Sequence, residues 1–152
     1  MFDISEDDLE GEATRALLAL HLRGMLEDSP PGHSFALDLS GLQATNVTVW
    51  SVWAGTELVC IGALKEHGDG LGELKSMRTA PGHERKGAAG ALLDHIILQA
   101  RGRGLTRLSL ETGSGPAFEA ALALYRKRGF TEGGAFADYR ASPFNQFFHL
   151  TL

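Results

Sequence analysis

The chain has 152 residues, 43% of them hydrophobic, which is enough apolar material for one core, so residues 1–152 are expected to form a single domain. A net charge of -5 and a pI near 5.6 argue against nucleic acid as a partner, and a lone cysteine, Cys60, excludes an internal disulfide. No apolar run is long enough to span a membrane, the acidic stretch Met1–Glu12 lacks a signal-peptide pattern, and the six histidines show no H-x-x-x-H pair, so a cytoplasmic protein with no membrane, nucleic-acid or metal partner is expected.

Phe2-Asp3-Ile4 reads as a short first strand. Ser5, with Asp8 three residues on, resembles a capping box and predicts a helix from Asp7 to Glu27, with Leu9, Ala13, Ala16, Leu17 and Leu20 as its core stripe. Ser29-Pro30-Pro31-Gly32 stops it, and a short second helix is expected from His33 to about Ser40. Val47–Trp53, Leu58–Glu66 and Leu71–Thr79 then alternate as strands around turns at Ala54–Glu57 and His67–Gly70, an antiparallel meander. Pro81-Gly82 ends the last of them. The apolar spacing Ala89, Leu92, Leu93, Ile96, Ile97 and Ala100 predicts a helix that Gly102 and Gly104 close. Leu105–Glu111 is the next strand. Pro116 opens a further helix, with Phe118, Ala121, Leu122 and Tyr125 on its apolar face and Gly129 at its end. A strand from Phe130 to Glu132, an irregular crossing from Ala135 to Phe144 and a strand Asn145–Leu150 complete an α/β chain with a mixed, mostly antiparallel sheet.

The junction between the third meander strand and its helix carries chemistry. Gly87, Ala88, Ala89 and Gly90 have almost no side chain at a helix N-terminus, where unpaired backbone N–H groups favour an anion, and Arg85 and Lys86 stand beside them. A mononucleotide P-loop is excluded, because Ala88 and Ala89 occupy the positions of its Lys and Ser/Thr. The dinucleotide fingerprint also fails, since Gly68, Gly70 and Gly72 precede a strand. The plain alternative is an ordinary loop whose small residues serve packing.

Glu84-Arg85-Lys86-Gly87-Ala88-Ala89 resembles the coenzyme A pyrophosphate motif [QR]-x-x-G-x-[GA] of the GNAT superfamily of N-acetyltransferases. Ala123-Leu124-Tyr125-Arg126-Lys127-Arg128-Gly129-Phe130 resembles a second signature of that superfamily, A-L-Y-x-x-x-G-F, and the order of elements is similar along nearly the whole chain. Two positions depart from the pattern. Glu84 replaces Gln or Arg and is expected to turn outward, with Arg85 taking its role, and Phe118 replaces a common Asn seven residues before the tyrosine.

The resemblance implies a sheet of about six to seven strands flanked by about four helices, and direct transfer of acetyl from acetyl-CoA to a primary amine of a small molecule or peptide. Backbone groups of Met77, Arg78 and Thr79 would pair with the pantetheine arm, and Arg85 to Gly90 would hold the pyrophosphate. Tyr125 is the candidate acid for the leaving thiolate and Glu73 the candidate base. A core aromatic is the alternative for Tyr125, and an ion pair with Lys75 or a solvated carboxylate the alternative for Glu73. Glu111 is the rival base. Acceptor contacts are expected from His33, Ser34, Asp138 and Tyr139, although a capping or surface role is open for His33. A homodimer is compatible with the sequence. The competing reading of the whole chain is a coenzyme A-binding module without catalysis.

Overall fold

The computed structural model describes residues 1–152. Its elements run β1 (Asp3–Glu6), α1 (Glu12–Glu27), α2 (Leu39–Leu42), β2 (Val47–Ala54), β3 (Glu57–Gly68), β4 (Leu71–Thr79), α3 (Ala88–Gly102), β5 (Arg107–Thr112), a 3₁₀ turn (Pro116–Phe118), α4 (Glu119–Lys127), β6 (Thr131–Gly133) and β7 (Gln146–Thr151). The strands form one seven-stranded sheet in the order β1-β2-β3-β4-β5-β7-β6. All neighbours are antiparallel except β4 and β5, which are parallel because α3 crosses between them. Seven strands and four helices match the expected architecture.

Strand alternation divides the core. Trp50, Val52, Cys60, Leu64, Leu74, Leu108, Leu110 and Phe148 point to the face covered by α3 and α4, where Leu92, Leu93, Ile96 and Ala100 of α3 are fully buried. Each leucine, isoleucine, valine or phenylalanine among them contributes about 1.5–3 kcal/mol by leaving water. Val49, Ile61 and Ala63 point to the other face, under Leu17 and Leu18 of α1 and Leu42 of α2. No helix is long and apolar enough to cross a membrane.

Two helix expectations are corrected. The first helix begins at Glu12 rather than Asp7, and the Ser5–Asp8 box does not form. Ser5 and Glu6 are consumed by pairing with Ser51 and Trp50, the Asp7 carboxylate accepts from Leu9 N–H and Thr14 Oγ1, and Leu9 takes a left-handed φ of 64° that no helix continues through. The second helix is Leu39–Leu42, capped by Asp38 through Gly41 N–H, so His33–Leu37 is not helical, and His33 and Phe35 of it line a cleft instead.

One local feature prepares the site. β4 and β5 pair only over Leu71–Glu73 and Arg107–Ser109, after which β5 follows β7 and the outer edge of β4 from Leu74 onward has no strand partner. A bulge lies just beyond, where Ser76 and Met77 face Gly62 alone and Ser76 has a φ of 58°. It re-aims the strand, so that Met77 lies over Gly62 and Leu92 on the α3 side while Arg78 reaches α1.

Candidate functional site

The open edge of β4 leads to the loop before α3. Gly82, Arg85 and Gly87 have φ of 85°, 62° and 91°, and Gly87 caps the helix in the left-handed conformation. The first intrahelical bond there is Ala91 N–H to Gly87 carbonyl, which leaves the N–H groups of Ala88, Ala89 and Gly90 without an intrahelical partner. Glu84 folds back so that its carboxylate accepts from Gly82 N–H at 2.8 Å. Arg85, Lys86 and Gly87 are exposed. An anionic group fits this end of α3, because unpaired backbone donors lie next to the exposed cations Arg85 and Lys86, with the Arg128 guanidinium against Gly90. Phe118 is buried and pairs edge-on with Phe144 at 5.7 Å, so an aromatic contact stands where the superfamily commonly has an amide.

On the α1 face, Glu73 is 2% exposed at the last residue shared by β4 and β5. Its Oε1 lies 2.8 Å from His67 Nε2, while Oε2 accepts from Lys75 Nζ at 3.2 Å and from the Tyr139 hydroxyl at 2.5 Å. Lys75 Nζ also donates to the Tyr139 oxygen at 2.8 Å and to the Phe35 carbonyl at 3.3 Å. The ion pair with Lys75 is therefore real and is part of a larger network. Burial, with Glu73 alongside, pushes the Tyr139 hydroxyl far above its ordinary pKa, so it stays a donor. Glu111 follows two residues after Ser109 on the same face of β5; burial raises it to about 7, Lys75 opposing and Glu73 adding to the rise.

A cleft of about 510 Å³ opens over this network. Of the expected site residues it brings together Glu73, His33, Asp138 and Tyr139, whereas Ser34 and Glu111 do not line it. It also gathers residues the sequence reading passed over: His67, Lys65, Phe35 and Arg140 among them. The signal for His67 was available. β3 runs on to Gly68, and Ile61, Ala63, Lys65 and His67 alternate onto one face. The crossing that carries Asp138, Tyr139 and Arg140 is held by Asn145, which donates to the Arg140 carbonyl at 3.0 Å and accepts from Ser142 N–H at 2.7 Å.

Tyr125 lies on the opposite face of the sheet, 7% exposed in the α3–α4 core, with its ring edge-on to Phe130 at 5.8 Å. Its hydroxyl makes no hydrogen bond within the protein, and burial, with a smaller push from Cys60, holds it well above the ordinary tyrosine pKa. The hydroxyl therefore keeps its proton and can donate a hydrogen bond, although the raised pKa makes it a weaker acid than a free phenol. Cys60 is fully buried and burial raises its thiol to about 11, which makes it inert packing.

The chain as a whole is similar to known acetyltransferases. The acetyltransferase (GNAT) family model matches residues 14–130. The uncharacterized N-acetyltransferase YedL of Escherichia coli K12 is 52% identical over 152 residues, 100% of this chain and 96% of that protein. A Klebsiella pneumoniae protein assigned as an acyl-CoA N-acyltransferase superposes with a TM-score of 0.84 at 30% identity, over 100% of this chain and 98% of its own. A Bacillus subtilis acetyltransferase solved in complex with CoA superposes with a TM-score of 0.75 at 18% identity, over 100% of this chain and 99% of its own. The chain belongs to the GNAT family of acetyltransferases.

Proposed function

We propose that this acetyltransferase moves the acetyl group of acetyl-CoA directly onto a primary amine of a small molecule or peptide. The observation that carries the reading is the parting of β4 from β5 after Glu73, which leaves a strand edge free between the small-residue loop before α3 and the cleft over Glu73. Backbone groups of Met77, Arg78 and Thr79 line that edge and would receive an extended amide-bearing arm as a strand would. Backbone N–H groups from Ala88 to Gly90, with Arg85 and Lys86, would hold the pyrophosphate. The bound thioester supplies the acetyl group.

The chain's own residues then handle protons. An amine is protonated in neutral water and must lose a proton before it attacks. Glu73 is the proposed base, acting through its bonded neighbour His67, which faces the cleft. Glu111 is the second carboxylate in reach of that role. Tyr125 is the proposed donor to the departing sulfur. His33, Asp138 and Tyr139 on the cleft wall would contact the acceptor.

The test is release of free coenzyme A thiol with a panel of primary amines. Turnover with at least one amine supports the reading. Thermal protection by acetyl-CoA without thiol release for any amine would make the chain a binding module instead.

A further inference from the structure

We propose that the acceptor is a small amino acid or close derivative, whose carboxylate is held by Lys65 and Arg140 while its amine faces the Glu73 end of the cleft; this rests on the acetyltransferase reading above.

Lys65 and Glu73 are direct cross-strand partners on one face of β3 and β4, a separation of about 5 Å between their Cβ atoms. Yet Glu73 takes its cation from Lys75 and its other donors from His67 and Tyr139, and Lys65 forms no ion pair. Arg140 directly follows Tyr139 on the crossing, is exposed, and also forms no ion pair. Both side chains line the cleft. Two cations without ion pairs therefore line the cleft together with a carboxylate that Lys75 already pairs, in a chain whose net charge is -5.

For a simple cationic amine the two unpaired cations are unfavourable neighbours, and exposed Asp138 is the carboxylate without an ion pair that lines the same cleft. An acceptor that carries its own anion resolves the conflict. Arg140 offers the planar fork that matches a carboxylate, and Lys65 a second donor. Lys65 stands across the strand pair from Glu73 and Arg140 follows its tyrosine partner in the chain, so an anion carried within a few bonds of the amine suits the cleft. An α- or β-amino acid meets that spacing and a long polyamine does not. Asp138, exposed on the same wall, is a further site for the ammonium end before it is deprotonated. Phe35, 38% exposed and edge-on to Tyr139 at 5.4 Å, leaves an apolar wall for a side chain.

The experiment compares matched pairs by thiol release: each amino acid against its decarboxylated amine, for example phenylalanine against 2-phenylethylamine, with ethanolamine phosphate against ethanolamine as a phosphate arm. Charged hydrogen bonds of this kind set kcat/KM for the acid at least about tenfold above the amine. Arg140→Ala and Lys65→Gln should each narrow that ratio through KM, and Arg140→Lys should restore part of it. Arg140 is exposed on a loop, so its variants test recognition rather than folding. Calorimetric titration of the same pairs reads the preference without turnover. Equal values for acid and amine overturn the proposal and leave the acetyltransferase reading standing. Preference for the phosphate ester alone overturns the carboxylate assignment. No thiol release from either member of any pair overturns the underlying reading, and the proposal with it.

Discussion

The Tyr139 hydroxyl donates to Glu73 Oε2 at 2.5 Å across 66 residues of sequence. Lys75 bonds both oxygens of that pair, and its side chain is only 8% exposed. The closing crossing of the chain is thus tied to the middle of the sheet through one buried carboxylate. With His67 on the other oxygen, most of the acceptor sites of Glu73 are filled. Both residues line the cleft, and the His67 side chain is the more exposed of the two, 20% against 3%.

Glu73→Gln keeps the shape of this network and removes its basic oxygen. Turnover is expected to fall about tenfold or more, the lower part of the range for acid–base groups. The loss should be greatest below the amine's own pKa and recover as pH rises and the amine loses its proton unaided. A pH–rate profile checks this. A uniform loss at all pH values would assign Glu73 to positioning, and no loss would move the role to Glu111, which burial brings to about 7.

Acetyl-CoA should raise the melting temperature by binding the native state alone, with ATP and NAD doing much less. Gly87→Ala should reduce that shift. Gly87 has a φ of 91°, so any side chain also strains the loop, by about 1–2 kcal/mol. Binding is therefore read as the ligand-induced shift within each variant. The same acetyl-CoA shift in Gly87→Ala as in the parent would make the loop purely structural.

The strands and the helix over the sheet could be read because their signals are local. Alternation from Val47 to Thr79 and the apolar spacing from Ala89 to Ala100 follow directly from which face each side chain buries. The start of α1 could not, since Ser5 and Asp7 have two uses and the pairing of β1 with β2 decides between them. Glu73 and Lys75 stand out as charges on a strand interior, but Tyr139 and Arg140 are remote in sequence, while Lys65 is set opposite Glu73 by the β3–β4 register. The irregular crossing from Ala135 to Phe144 has no periodicity to read. Its shape is set by Asn145 and Ser142 and by Phe136, whose ring meets Tyr139, Phe147 and His149 edge-on.

His21 predicts how stability responds to acid. It is 6% exposed on α1, accepts from Arg78 Nε at 3.0 Å, and is lowered from 6.5 to about 4 by burial, then by Arg78 and Lys75. Between those values the unfolded chain binds a proton that the folded chain does not, so this group's contribution to stability rises with pH through the window and is lost as pH falls from about 6.5 towards 4. The full difference is about 3 kcal/mol. Glu111, raised from 4.5 to about 7, has the opposite sign, its contribution falling as pH rises through its own window. His21→Gln keeps an acceptor for Arg78 and removes the titration. Urea unfolding from pH 4 to 7 should show the parent losing ground to this variant as pH falls, and a constant difference would show that His21 titrates normally.

Tyr125→Phe isolates one oxygen. The ring is packed against Phe130 in the α3–α4 core, and the hydroxyl bonds nothing in the protein, so removing it leaves the packing intact and orphans no partner. Stability is therefore expected to change little. Acetyl-CoA affinity should also change little, because a bond to sulfur strengthens mainly as negative charge develops there. Turnover is where the loss belongs. General-acid groups contribute about 10²–10⁴-fold, and a drop of at least about tenfold is expected even where water substitutes. Steady-state kinetics with a good acceptor, alongside the acetyl-CoA thermal shift, separates the cases. Parent-level turnover in the Phe variant would make Tyr125 a core residue and leave protonation of the thiolate to water or another group. Loss of turnover together with loss of the thermal shift would make the hydroxyl a binding contact rather than an acid.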